Sequence, residues 1–168
     1  EGDVLSEISQ FLNIKKDDVP SKIQKLHDEW TEGIKKIKQM KNLLNEDYVK
    51  DLVHNAQNFK EYKLILESFD GLSQNDLKNF SVRVMKHSED LIAIFLNKTD
   101  KGMIVLGMMG TKPFKESVFN IGDFVKECVE NFGGKGGGKK DYGQGFITDK
   151  DLSVDAIKSY IMNKLNIE

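Results

Sequence analysis

The hydrophobic period of this chain changes once, near residue 60, so the fold must join a helical part to one containing strands. Upstream of that point the apolar residues recur at helical spacing. Ile23, Trp30, Ile37 and Leu44 stand seven apart, and Leu26, Gly33 and Met40 fill the complementary positions. Ile34 and Leu43 widen the stripe. No proline interrupts residues 21–45, whereas Asp17-Asp18-Val19-Pro20 is a helix-start signal, with acids at the positive end of the dipole and proline in the first turn. Val4, Leu5, Ile8, Phe11 and Leu12 predict a shorter amphipathic helix before it, and Val49, Leu52, Val53 and Ala56 another after it.

Downstream the pattern is mixed. Residues 62–69 read as a strand closed by the turn pair Asp70-Gly71, and residues 73–87 as a helix with Leu77, Phe80 and Val84 inward. Residues 91–96 and 103–108 are nearly continuous apolar runs of strand length, which suits strands covered on both faces. A helix over 120–132 precedes a glycine run, a short strand is expected near 145–148, and a helix over 153–165 ends the chain. The expected architecture is α+β: a helical self-association subdomain at 1–58, then a βαββα(β)α globular subdomain at 59–168 with a glycine-rich loop at 133–145.

Charge and composition remove several function classes. With 25 basic and 27 acidic residues the net charge is −2, so attraction to nucleic acid must be local. Residues 20–45 hold six lysines against Asp28, Glu29 and Glu32, and residues 133–142 hold Lys135, Lys139 and Lys140 against Asp141. The single cysteine, Cys128, excludes an intramolecular disulfide and suits a reducing compartment. No apolar run approaches the roughly 20 residues that span a bilayer. His27, His54, His87 and Cys128 have no zinc-site spacing, Cys128 sits on an apolar helix face as an inert thiol, and Asp149 and Asp151 charge the start of the last helix. The chain begins Glu1-Gly2 without methionine and reads as a piece of a longer protein.

Two readings of Gly133-Gly134-Lys135-Gly136-Gly137-Gly138-Lys139-Lys140-Asp141-Tyr142-Gly143-Gln144-Gly145 compete. One is a flexible linker, which would interrupt a domain here. The other is a phosphate-facing loop in which glycines expose backbone amides and lysines add charge. Residues 133–139 match the spacing of a nucleotide-binding P-loop, but Lys140 replaces the Mg²⁺-binding Ser or Thr and the run follows a helix. Tyr142 suits either stacking on a base or the core.

The same residues, followed by an acidic-start helix, resemble the glycine-rich signature that closes the alanyl-tRNA synthetases within the fold called DHHA1. Leu12-Asn-Ile-Lys-Lys-Asp-Asp-Val-Pro20 leading into a long charged helix is similar to the segment that precedes that domain, and the strand at 62–69 and Ile104-Val-Leu-Gly107 come in family order. This sequence departs from the family at Lys139 for the usual arginine, Lys140 for proline and Gly143 for alanine; lysine keeps the charge but loses arginine's fork. The resemblance implies the C-terminal module of a cytoplasmic synthetase, which dimerises it and grips alanine-specific tRNA. RNA contacts are expected at Gly133, Gly134, Lys135, Gly136, Gly137, Gly138, Lys139, Lys140, Tyr142 and Gln144. A homodimer seam is expected at Ile23, Leu26, Trp30, Ile34, Ile37, Met40 and Leu44, although the stripe would also suit packing within one chain. No catalytic residue, metal or cofactor is expected here; ATP and zinc are implied for other parts of the full-length family. The alternatives are the nucleic-acid-binding domain of a DHH-type phosphoesterase, whose upstream metal cluster this chain lacks, and a dimerisation module without RNA contact.

Overall fold

The computed structural model describes residues 3–167. It forms two compact units, residues 1–41 and 42–168. The first holds helix α1 (Val4–Leu12), a 3₁₀ turn (Lys16–Asp18) and most of α2 (Val19–Leu44). Asp3 caps α1 by accepting the Leu5 N–H, and Asn13 ends it in a left-handed turn at φ 51°. The expected boundary at residue 58 differs from this division. Leu43, on the last turn of α2, and Val49 of α3 (Glu46–His54) are buried in the core of the second unit.

The second unit is a six-stranded sheet in the order β1-β2-β3-β4-β6-β5, built from β1 (Gln57–Phe59), β2 (Tyr62–Asp70), β3 (Leu91–Thr99), β4 (Gly102–Met109), β5 (Lys135–Lys139) and β6 (Tyr142–Ile147). Only β2 and β3 run parallel, joined through α4 (Gln74–Met85); the other neighbours are antiparallel. Central β3 is buried along residues 91–97, as its unbroken apolar run predicts. Its alternate residues feed two cores. Leu91, Ala93 and Phe95 join Leu77, Phe80 and Val84 of α4, while Ile92, Ile94 and Leu96 join Val125 and Val129 of α6 (Ile121–Asn131) and Ile157 and Ile161 of α7 (Val154–Lys164). Ser73, Asn120 and Ser153 cap α4, α6 and α7 through side-chain oxygens that accept the Asp76, Asp123 and Ala156 amides.

The α+β class, the long first-half helix and the main β/α elements agree with the sequence. Three elements were not anticipated: β1, the five-residue helix α5 (Thr111–Lys115) and β5. The last is the consequential one. The glycine-rich loop expected at 133–145 is instead a β-hairpin, with Lys140-Asp141 between its strands.

Candidate nucleic-acid interface

The hairpin's two faces have different chemistry because side chains alternate along a strand. Gly136 and Gly138 of β5 pair with Gly145 and Gly143 of β6 and lie under α6. A Cβ on Gly145 would stand 2.7 Å from Val129 Cγ1, and one on Gly143 would stand 2.9 Å from both the Gly122 Cα and the Ile121 carbonyl oxygen. Glycine is therefore a packing residue here: it lets α6 lie directly on strand backbone, so these glycines form neither a flexible linker nor an open loop. Gly133 takes φ 73° in the turn that ends α6, and the Gly134 N–H donates to the Val129 carbonyl at 2.7 Å.

The opposite face carries the larger side chains. The register aligns three rows across β4, β6 and β5: Ile104–Phe146–Lys135, Leu106–Gln144–Gly137 and Met108–Tyr142–Lys139. Cross-strand partners share a face. Lys135 and Lys139 are exposed four residues apart on the edge strand, about 13 Å along it, and neither makes an ion pair among the described residues. Between them the position of a Cβ on Gly137 has nothing within 4 Å, leaving a gap in which a ligand can approach backbone. Tyr142 is half-buried at the rim of the α4-side core, and its hydroxyl donates to Gln144 Oε1 at 2.7 Å. That burial raises its hydroxyl pKa above the ordinary value.

Of the expected RNA-binding residues, Lys135, Gly137, Lys139, Tyr142 and Gln144 come together on this face. Gly136 and Gly138 face α6, and Gly133 and Gly134 belong to the turn before β5. Lys140 is held apart: its Nζ donates to Ser117 Oγ at 2.7 Å and lies 5.0 Å from the centroid of the Phe114 ring. Phe146 was missed in the sequence, although Tyr142-Gly-Gln-Gly-Phe146 alternates large and small residues as a one-sided strand does.

The α2 stripe is open in the single chain. Trp30 is 66%, Ile37 59% and Leu44 75% exposed, and Ile23, Leu26, Ile34 and Met40 are exposed with them. The position of a Cβ on Gly33 also has nothing within 4 Å. Elsewhere, several titratable residues have structural partners. His87 Nε2, in the turn after α4, lies 2.6 Å from Glu46 Oε1 of α3, and Arg83 of α4 lies 3.6 Å from the same carboxylate. Cys128 is buried, and desolvation pushes its thiol up to about 12. No group of three or more His, Cys, Asp or Glu among the described residues could hold a metal ion, and no described helix is long and apolar enough to cross a membrane.

Residues 61–163 match the family model of the DHHA1 domain. The chain is 30% identical over 162 residues to the alanine–tRNA ligase of Pyrococcus abyssi, covering 96% of this chain and 16% of that protein. It is 26% identical over 175 residues to the alanine–tRNA ligase of Natranaerobius thermophilus, covering 96% of this chain and 19% of that one. It therefore spans less than a fifth of the length of these relatives. Among solved structures, the C-Ala domain of Aquifex aeolicus alanyl-tRNA synthetase is similar with a TM-score of 0.56 at 15% identity, covering 66% of this chain and 96% of that domain. The last likeness is one of fold. Taken together, the chain corresponds to a non-catalytic domain resembling part of an aminoacyl-tRNA ligase.

Proposed function

The chain belongs to the DHHA1 domain family, and on that premise we propose that it is a C-terminal module of an alanyl-tRNA synthetase that binds tRNA and dimerises the protein in the cytoplasm. In this reading it supports aminoacylation and editing performed by other parts of the protein. The observation that carries the RNA half is the hairpin face: two unpaired lysines on an edge strand, a side-chain gap between them at Gly137, and Tyr142 and Gln144 alongside. Cations at this spacing neutralise phosphates and fix the register of a backbone, while carrying no base information themselves. The alanine-tRNA ligases to which the chain is similar supply the class of nucleic acid.

The dimer half rests on α2. A 26-residue helix is about 39 Å long, and its apolar residues at seven-residue spacing form a narrow stripe of the kind that closes against a second helix. A second copy of the chain supplies an identical stripe, and Trp30 at its middle is the natural anchor. The test is titration of labelled tRNA with the chain by fluorescence anisotropy over a series of salt concentrations. The proposal expects binding that weakens linearly on a log–log scale as salt rises. Absence of binding at low salt would overturn the RNA half, while sedimentation of the same sample reports the oligomeric state separately.

A further inference from the structure

A recess of ≈ 530 Å³ opens on the same sheet face, between the start of α4, the β3–β4 turn and strand β6, lined by Leu72, Gln74, Thr99, Asp100, Lys101, Ile104, Gln144 and Phe146. Its walls are fixed by hydrogen bonds. Asn97, fully buried, clamps the loop after β2, accepting the Leu72 N–H at 3.1 Å and donating to the Leu72 carbonyl at 2.8 Å. Across the recess, Thr99 Oγ1 donates to the Gly102 carbonyl at 3.1 Å and accepts the Lys101 N–H at 3.3 Å, which orders the turn. Phe146 is half-buried and belongs to neither apolar core; its Cζ lies 3.0 Å from where a Cβ of Gly102 would stand, so glycine leaves room for the ring.

The rim chemistry is unspent. Gln144 Oε1 accepts the Tyr142 hydroxyl, which fixes the amide and leaves Nε2 as a donor without a partner. The side chains of Gln74, Asp100 and Lys101 likewise have no hydrogen-bond or ion-pair partner among the described residues. A flat aromatic wall, two amides, one carboxylate and one ammonium around a space that admits a base match a planar heterocycle with both donors and acceptors on its edge. Phe146 is also the cross-strand partner of Lys135, so a backbone lying on Lys135 passes the mouth of the recess.

We propose that this recess receives one unstacked nucleobase of the bound RNA, stacked on Phe146 and hydrogen-bonded at its edge by Gln144 and Gln74. The inference rests on the RNA-binding reading above and adds a base contact to its phosphate contacts. It is tested with a ten-nucleotide single-stranded RNA and an abasic ribose–phosphate strand of the same length. Each is titrated against the whole chain and against Phe146→Ala and Gln144→Ala variants, with circular dichroism confirming that the variants are folded. The wild type should prefer the base-bearing strand, and Phe146→Ala should reduce that preference roughly tenfold while leaving abasic binding and the salt slope unchanged. Gln144→Ala should reduce it by a smaller factor. Equal base preference in wild type and Phe146→Ala, with salt-dependent binding intact, overturns the recess and leaves the phosphate reading standing. Failure of the wild type to bind either strand or tRNA overturns both.

Discussion

Gly143 in β6 lies directly under Gly122 in α6, so close that a Cβ on Gly143 would come 2.9 Å from the Gly122 Cα. This contact explains a glycine run that would otherwise suggest flexibility. The helix reaches the hairpin backbone, one hairpin face is consumed by packing, and the other keeps Lys135, Lys139, Tyr142, Gln144 and Phe146.

The first prediction concerns these glycines. Gly143→Ala forces a methyl group against helix backbone and Val125, and such overpacking typically costs about 1–3 kcal/mol. Gly137→Ala meets nothing within 4 Å and should be near neutral, or slightly stabilising through the unfolded chain. Urea denaturation of the two variants should separate them clearly. Equal midpoints would show that α6 does not rest on the hairpin in this way.

Asn97 provides the second. Its amide satisfies both the N–H and the C=O of Leu72 in a buried setting. Asn97→Ala leaves these groups without their partner, at a cost of about 1–3 kcal/mol. A stability change within error of zero would mean that water replaces the amide.

The third is a pH dependence. Burial raises the Cys128 thiol from 9.0 to about 12. Below pH 9 the thiol is protonated in both folded and unfolded chains, and its contribution is fully present. Between pH 9 and about 12 the unfolded chain releases this proton while the native chain keeps it, so stability falls as pH rises, by at most about 1.4 kcal/mol per pH unit from this group. Tyr62, whose hydroxyl is raised to about 12 by its hydrogen bond to Glu116 and by burial, adds a second alkaline loss above its ordinary 10.0. Denaturation of wild type and Cys128→Ala at pH 8, 9.5 and 10.5 should give a flatter alkaline decline in the variant. Parallel curves would contradict a buried neutral thiol.

The fourth concerns self-association. Trp30→Glu with Ile37→Glu places two charges at the centre of the proposed seam, where truncating an anchor typically costs about 2 kcal/mol or more. Both residues are exposed in the single chain, so the variant should remain folded. Analytical ultracentrifugation should find a dimer before the change and a monomer after it. A wild-type monomer, or an unchanged dimer in the variant, would reject the seam.

Much of the fold was legible because side chains announce their period. The runs of β3 and β4 and the stripe of α2 are explicit in the sequence, and their structural bounds differ from expectation by only a few residues. Strand β5 was not, for a physical reason. Lys-Gly-Gly-Gly-Lys has low strand propensity and no alternation to read, and its pairing is fixed by β6 and by contact with α6. The burial of Leu43 was not legible either, because nothing local marks it as belonging to the sheet core rather than to the stripe around it. The recess was invisible because Leu72, Thr99 and Phe146 come from three separate segments and meet only through the fold.

The central claim is that the uncovered hairpin face meets RNA phosphate, and the salt dependence of tRNA binding by Lys135→Ala/Lys139→Ala tests it most directly. Removing two phosphate contacts should lower the log–log salt slope by about 1.4–1.8 and weaken binding alike for different tRNAs. Lys140→Ala, which removes a lysine held by Ser117 and Phe114, should leave the slope unchanged. A double variant that is folded and binds tRNA with the wild-type affinity and slope would contradict the account.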